Sequence, residues 1–348
     1  MINALLDKWN TLRKKKFFSS VLYRSEKNYA FVGAGIHSLT NLYPVLRHCG
    51  ITLKVICTKK SADTNLQRLF PGCKLTHDIQ DIISDPEIAG VFVCASPASH
   101  HSIVSLLLRA GKKVFVEKPP CQDLAQLQDL IAINQQAVCK VGLQRRYWPG
   151  NRFAVPRIRK AKTYNYSFHT GPYIQGDALT ELFIHPLDYC LFLFGAAETA
   201  SLSYHNDKTG ITIQLHLKHH SGISGLIELS TCHSWNDPSE SLNVDCRGES
   251  LLIEYPSLIQ AEQKPARILN IPSERVLNQP VTIRKYFSSK NLLLPVAELN
   301  TLLLQGFYQE IESFVGIVED GATKAINNDL QGLIPLFELF EKIRSGDA

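Results

Sequence analysis

A glutamate, a lysine and a proline in succession, Glu117-Lys118-Pro119, close an apolar strand-like run, Val114-Phe115-Val116. A lysine at the carboxyl end of a parallel strand points into the crevice where an open α/β sheet binds its ligand. There its ammonium can donate to a substrate oxygen and stabilise an alkoxide as hydride leaves or arrives. Partial burial would lower its pKa toward acid–base use. Lys118–Pro119 is also a candidate cis peptide. Upstream, Gly33-Ala34-Gly35-Ile36-His37-Ser38 follows a second strand-like run, Tyr29–Val32. It fits G-x-G-x-x-G/A with serine last. The first glycine makes the tight turn, the second lets backbone approach a pyrophosphate, and the third position needs only to be small. The following helix adds N–H groups and positive dipole. A ligand-free glycine turn and a surface lysine are the plain alternatives, but the two turns together imply nicotinamide chemistry.

Cofactor choice is read at the end of the next strand, where an Asp or Glu would bond the ribose 2′-hydroxyl of NAD. Here the residues are Thr58-Lys59-Lys60-Ser61. Two ammonium groups and two hydroxyls favour the 2′-phosphate of NADP(H) over NAD, unless the lysines are simply solvated. Ala95-Ser96-Pro97 ends a further strand, and its small residues suit the nicotinamide ribose. His100 and His101 follow near a helix start. The candidate cofactor set is therefore Gly33, Gly35, Ile36, His37, Ser38, Thr58, Lys59, Lys60, Ala95, Ser96, Pro97, His101, Glu117 and Lys118. A second constellation is Glu181-Leu-Phe-Ile-His185-Pro186-Leu-Asp188. Proline suits a first helical turn, which places the helix start near His185 and Glu181 just before it. His185 could relay a proton, with Glu181 or Asp188 orienting it. A capping or packing histidine is the alternative, and no second histidine has metal-ligand spacing. The candidate catalytic residues are Lys118, His185 and Glu181, with no metal.

These residues need a scaffold of alternating strands and helices. Strands are expected at Tyr29–Val32, Leu53–Cys57, Val91–Ala95, Val114–Glu117 and Val138–Leu143. Helices are expected at 39–47, 79–83, 102–109 and 124–133. That alternation implies βαβ units and a parallel sheet. After Arg146 the pattern changes. Ile211, Ile213, Leu215 and Leu217 alternate with polar residues, as do Tyr164, Tyr166 and Phe168, which implies half-buried strands of a mainly antiparallel sheet. Two amphipathic helices close the chain, with Phe307, Ile311, Phe314 and Val318 on one face and Leu330, Leu333, Phe337 and Phe340 on another. The expected organisation is a lead-in over 1–26, a doubly wound Rossmann domain over 27–146, and an α/β substrate and oligomerisation domain over 147–348.

At 348 residues and net charge +5 the chain is long enough for two domains and lacks the concentrated basic stripe of a nucleic-acid binder. No apolar run reaches the length of a membrane span. The nine cysteines contain no C-x-x-C pair; Cys57, Cys94 and Cys139 read as core residues of a protein from a reducing cytosol. The basic lead-in, with Leu5, Leu6, Trp9 and Leu12 before Lys14-Lys15-Lys16, reads either as a surface helix packed on the first domain or as a membrane-touching amphipathic helix.

Over roughly residues 28–345 the chain resembles the Gfo/Idh/MocA family of NAD(P)-dependent oxidoreductases. The likeness rests on Gly33-x-Gly35-x-x-Ser38, Ser96-Pro97, Ala110-Gly111-Lys112, Glu117-Lys118-Pro119 and His185-x-x-Asp188. It implies a catalytic Lys118, a proton-transferring His185, and a C-terminal sheet that forms a dimer or tetramer interface. It also implies sugars, sugar nucleotides, inositols or related polyols as substrates. Two departures stand out. Glu181-Leu182-Phe183-Ile184-His185 replaces the usual Asp-x-Gly-x-His, and Phe183 would add bulk suited to a smaller, more apolar or aromatic substrate. The stretch from Pro97 to Gly111 is about one residue short, so either His100 or His101 can match the family histidine.

The reading is an NADP(H)-dependent oxidoreductase of a small substrate, cytoplasmic, with hydride passing to or from a carbon bearing oxygen or nitrogen. Alternatives are an imine or C=C reductase of a specialised pathway, and a non-catalytic cofactor-sensing protein.

Overall fold

Six parallel strands form the first sheet: β1 (Asn28–Val32), β2 (Thr52–Cys57), β3 (Lys74–Thr76), β4 (Ile88–Val93), β5 (Lys113–Glu117) and β6 (Cys139–Gly142). Their order is β3-β2-β1-β4-β5-β6, every pair parallel, so the order reverses between β1 and β4. In an open α/β sheet, that reversal marks the ligand crevice beyond the strands' carboxyl ends. The computed structural model describes residues 2–22, 25–59, 64–133, 138–277, 280–289, 301–320 and 329–346.

The helices of this half are α1 (Ile2–Leu22), α2 (Tyr43–His48), α3 (Thr64–Leu69), α4 (Gln80–Ile83), α5 (Pro97–Arg109) and α6 (Leu124–Ile133). Helix α5 begins five residues before its expected start, because Pro97 sits in the first turn with its φ already helical. Strand β3 is three residues long and has no alternation to betray it. Phe31, Phe92 and Phe115 are fully buried in adjacent strands, as a sheet covered on both faces requires.

The chain divides into two compact units, and the first takes in Phe307–Leu330. The physical reason is local. The helix Phe307–Glu319 sets Phe314 edge-on to Phe92, with ring centroids 5.2 Å apart. Lys27 Nζ donates to Val318 O at 2.6 Å, and Tyr29 Oη donates to Glu319 at 2.8 Å. The amphipathic pattern of 307–318 thus serves the parallel sheet, whereas the sequence grouped it with the second half. A second expectation, that the lead-in packs on the first domain, is met only at its end: Ala4 to Lys15 are all exposed, whereas Ser25 is buried and its N–H donates to Gly50 O at 3.0 Å.

The second unit carries an eight-stranded mixed sheet built from β7 (Ala161–His169), β8 (Ala197–Asp207), β9 (Gly210–His219), β10 (Ser224–Ser230), β11 (Ser239–Cys246), β12 (Glu249–Glu254), β13 (Leu258–Gln263) and β16 (Ile283–Ser288); β14 (Arg267–Ile268) and β15 (Ile271–Pro272) form a small separate hairpin. The β7–β10 pair is parallel and the other pairs antiparallel. One face is packed, with Ile213, Leu215 and Leu217 of β9 and Tyr164 and Tyr166 of β7 buried. Helices α7 (Asn151–Ile158), α8 (Ala178–Glu181) and α9 (Ile184–Phe194) belong to this unit, as does the helix Ile334–Ser345, which buries Phe337 and Phe340.

Candidate functional site

At the carboxyl end of β1, Gly33 holds φ at +114°, a conformation that L side chains rarely adopt, and a Cβ there would stand 2.0 Å from Cys94 O. Its N–H donates to Cys57 O at 2.9 Å, and Tyr43 Oη donates to its carbonyl at 2.8 Å. The turn is therefore pinned between the ends of β2 and β4. Gly35 is the reverse case. It has nothing within 4 Å of where a Cβ would be, so its backbone is open to a ligand. Ser38 is buried and donates to Gly35 O at 2.8 Å. Ile36 is exposed, and exposed His37 sits with Nε2 3.5 Å from Glu117 Oε1. The glycine turn after β1 and the Glu117 end of β5 thus converge.

Glu117 is buried, and Gly142 of the neighbouring strand makes room for it: a Cβ there would lie 3.1 Å from the carboxylate. Glu117 accepts from the Lys118 N–H at 3.3 Å, and Lys118 itself is half-buried. The Lys118–Pro119 bond is cis. Beside it lies His100, almost fully buried, with Nδ1 2.7 Å from Pro119 O and Nε2 3.0 Å from Ala95 O. Burial holds its pKa below the ordinary histidine value, with both carbonyls and Glu117 pulling the other way. A neutral ring donates once, and we assign the proton to Nδ1 on the shorter contact. His101 points elsewhere, pairing with Asp129 of α6 at 2.9 Å. The structure therefore places His100, and not His101, between the ends of β4 and β5.

At the end of β2, Thr58 O bonds the His77 ring at 2.7 Å and exposed Lys59 donates to Ser99 Oγ at 3.1 Å. Ser99 in turn meets Ser96 Oγ at 2.8 Å, just ahead of Pro97 in α5. Lys59 is thus brought to the Ala95-Ser96-Pro97 turn. Lys60 lies outside the described residues.

In the second unit, Asp177 caps α8 by accepting from the Leu179 N–H at 3.0 Å. Glu181 ends that helix, accepting from Tyr173 Oη at 3.0 Å and from the Asp177 N–H at 3.3 Å. Gly176 permits this, since a Cβ would stand 2.4 Å from Glu181 Oε1. Burial, then the Glu181 contact, pushes the Tyr173 hydroxyl up to about 12, so it stays a donor at neutral pH. His185 lies half-buried in the first turn of α9, one residue before Pro186. Asp188, buried one turn on, takes a two-pronged ion pair from Arg146 Nε (2.9 Å) and Nη2. Phe183 is fully buried and edge-on to Phe168, so its bulk goes into the core.

Sequence reasoning missed Arg145, Arg146, Tyr173 and Glu240. Arg145 is buried, with Nη1 2.6 Å from Glu240 Oε1 and 3.1 Å from Tyr166 Oη, and its guanidinium lies over the rings of Phe168 and Tyr255. Two adjacent arginines after an apolar strand were the available signal; their partners were not. Among the described residues, no His, Cys, Asp and Glu cluster could hold a metal ion, and no helix is long and apolar enough to cross a membrane.

Residues 27–144 match the model of the Gfo/Idh/MocA oxidoreductase family, NAD-binding Rossmann fold. The putative oxidoreductase YceM of Salmonella typhimurium is 34% identical over 111 residues, covering 30% of this chain and 36% of that protein. An inositol 2-dehydrogenase of Paracoccus denitrificans is 27% identical over 121 residues, covering 33% of this chain and 36% of that protein. The chain thus spans about a third of the length of these curated relatives. KijD10, a 3-ketoreductase from Actinomadura kijaniata solved with NADP and TDP-benzene, superposes with a TM-score of 0.72 over 92% of this chain and 97% of that one. At 14% identity that likeness is one of fold.

Proposed function

We propose that this chain, whose residues 27–144 match the Gfo/Idh/MocA oxidoreductase model, is an NADP(H)-dependent oxidoreductase of a sugar, sugar nucleotide or polyol. The observation that carries the reading is the convergence of the Gly33 turn and the Glu117-Lys118 turn at the carboxyl ends of β1 and β5.

The backbone of Gly33, Gly35, Ile36 and His37 would bind the pyrophosphate, with Ser38 allowing the helix to pack close. When bound, the cofactor supplies or accepts hydride. Lys59, already drawn to Ser99, would bind the 2′-phosphate together with Thr58 and Lys60. Ala95, Ser96 and Pro97 would line the nicotinamide ribose, with His100 taking the place expected for His101. Lys118 would hold the substrate oxygen and stabilise negative charge on it. His185 would move the proton, with Glu181 held by Tyr173 and Asp177 as its carboxylate partner.

The KijD10 and inositol dehydrogenase likenesses support a carbonyl or alcohol at a sugar-related ring carbon. Phe183, expected to add bulk for a smaller, more apolar or aromatic substrate, is buried in the core and so lends no support to the imine or C=C alternative. A sensing role leaves Lys118 without a task. Exposed Tyr204 and Leu226 on the second sheet fit a homodimer or homotetramer through that sheet, in a cytoplasmic protein.

The test is substrate-dependent change in NADPH absorbance across a panel of keto-sugar nucleotides, inositols and polyols. Lys118→Ala is expected to lower kcat/KM by roughly a hundredfold or more, well beyond any loss of NADPH affinity. Binding without turnover on any substrate, or an unaffected Lys118→Ala variant, would favour the sensing role.

A further inference from the structure

Helix α1 carries an apolar stripe whose described side chains have nothing packed over them. Leu5, Leu6, Trp9 and Leu12 are each at least half exposed, within a run from Ala4 to Lys15 that is exposed throughout. At 3.6 residues per turn these four fall within an arc of about 120°. Asp7 and Thr11 take the opposite side, and Arg13 falls inside the arc beside Trp9. Scattered exposed apolar residues need no explanation, but a contiguous stripe marks a contact surface. In proteins most of a helix's stability comes from covering its apolar face.

The charges select what covers it. Residues 2–16 hold Lys8, Arg13, Lys14, Lys15 and Lys16 against one acid, Asp7. Most of that charge follows directly on the stripe as an unbroken run. Arg13 places its guanidinium 4.7 Å from the Trp9 ring centroid, joining the basic run to the apolar face. Lys and Arg stems can lie along an apolar surface while their heads reach outward, and Trp settles where apolar and wet phases meet. An aliphatic and indole stripe with an adjoining basic run matches the apolar interior and phosphate headgroups of an anionic bilayer.

We propose that α1 is a surface helix that lays Leu5, Leu6, Trp9 and Leu12 into an anionic lipid surface. Lys8 and the Arg13–Lys15 run contact the lipid phosphates. The helix lies on the bilayer and does not cross it, in keeping with the absence of a spanning helix among the described residues. This attachment is independent of the cofactor reading.

The test is flotation of the full chain with vesicles of phosphatidylcholine, with and without one third phosphatidylglycerol. The protein is expected to float with the anionic vesicles only, to be released by high salt, and to show a blue shift in emission that Trp9→Phe removes. Leu5→Ser/Leu12→Ser and Lys14→Glu/Lys15→Glu should each weaken partitioning by at least about tenfold. Both pairs sit on exposed positions, so an unchanged thermal midpoint in each variant separates loss of attachment from loss of fold. Failure to float, or equal flotation with neutral vesicles, would overturn the proposal. So would lipid-free self-association, or capture of an acidic protein, that the Leu5→Ser/Leu12→Ser pair abolishes, because the stripe would then belong to a protein partner.

Discussion

The Rossmann turns of the first unit and the polar cluster of the second are positioned by different means. In the first, strand ends and glycines place the backbone: Gly33 is set between the backbone of Cys57 and Cys94, with the Tyr43 hydroxyl on its carbonyl. In the second, side chains position one another across long stretches of chain: Arg146 meets Asp188, and Arg145 meets Glu240 from β11. A backbone-built site tolerates almost any side chain that stays small, whereas a side-chain-built one fails when a single partner goes.

That contrast can be broken most sharply at Arg145. Arg145→Met would leave Glu240 buried without its cation, which should cost about 3–5 kcal/mol in urea unfolding. Arg145→Met/Glu240→Met should recover most of that loss, because an apolar pair of similar volume avoids the stranded charge. Equal losses in the single and double variants would show that packing over Phe168 and Tyr255, and not charge, is what Arg145 supplies.

The two glycines of the first turn should separate. Gly33→Ala drives a Cβ into Cys94 O at a positive φ and should cost about 3 kcal/mol of stability. Gly35→Ala meets nothing within 4 Å, so its unfolding midpoint should hold while cofactor affinity falls. If both variants lost stability alike, the second glycine would be structural.

The smallest effect lies at His100. Burial lowers its pKa beneath the ordinary value of about 6.5, so the unfolded chain takes the proton first as pH falls. Its stabilising contribution is complete above about pH 6.5 and is lost as pH falls through the folded value. Stability should decline from pH 7 toward 5, and His100→Gln should flatten that slope by no more than about 1.4 kcal/mol per pH unit. An unchanged slope would mean that other groups carry the acid sensitivity.

How much was legible follows the same division. The parallel sheet could be read because its strands are short apolar runs followed by glycine or proline turns, and α6 falls at 124–133 as expected. The Glu117-Lys118 turn was visible for the same reason. Strand β3 was not, being too short for a period. The choice between His100 and His101 needed coordinates, because adjacent helical residues differ by a third of a turn and only one faces Ala95 and Pro119. Phe183 misled because a residue's neighbours in sequence do not say whether its side chain enters a pocket or the core. The place of 307–318 turned on Phe92 and Phe115, some two hundred residues away. Tyr173 and the partners of Arg146 were silent because hydrogen-bond partners leave no periodic trace.

The central claim is that the strand-end turns of the first unit hold NADP(H), with the lysines after β2 choosing the phosphate. Fluorescence titration of NADPH and NADH tests it directly, on the native chain and on Lys59→Ala/Lys60→Ala. The account predicts NADPH binding tighter than NADH, weakened by at least about tenfold in the double variant, or 1.4 kcal/mol. NADH binding as tight as NADPH, or no binding of either, would contradict it.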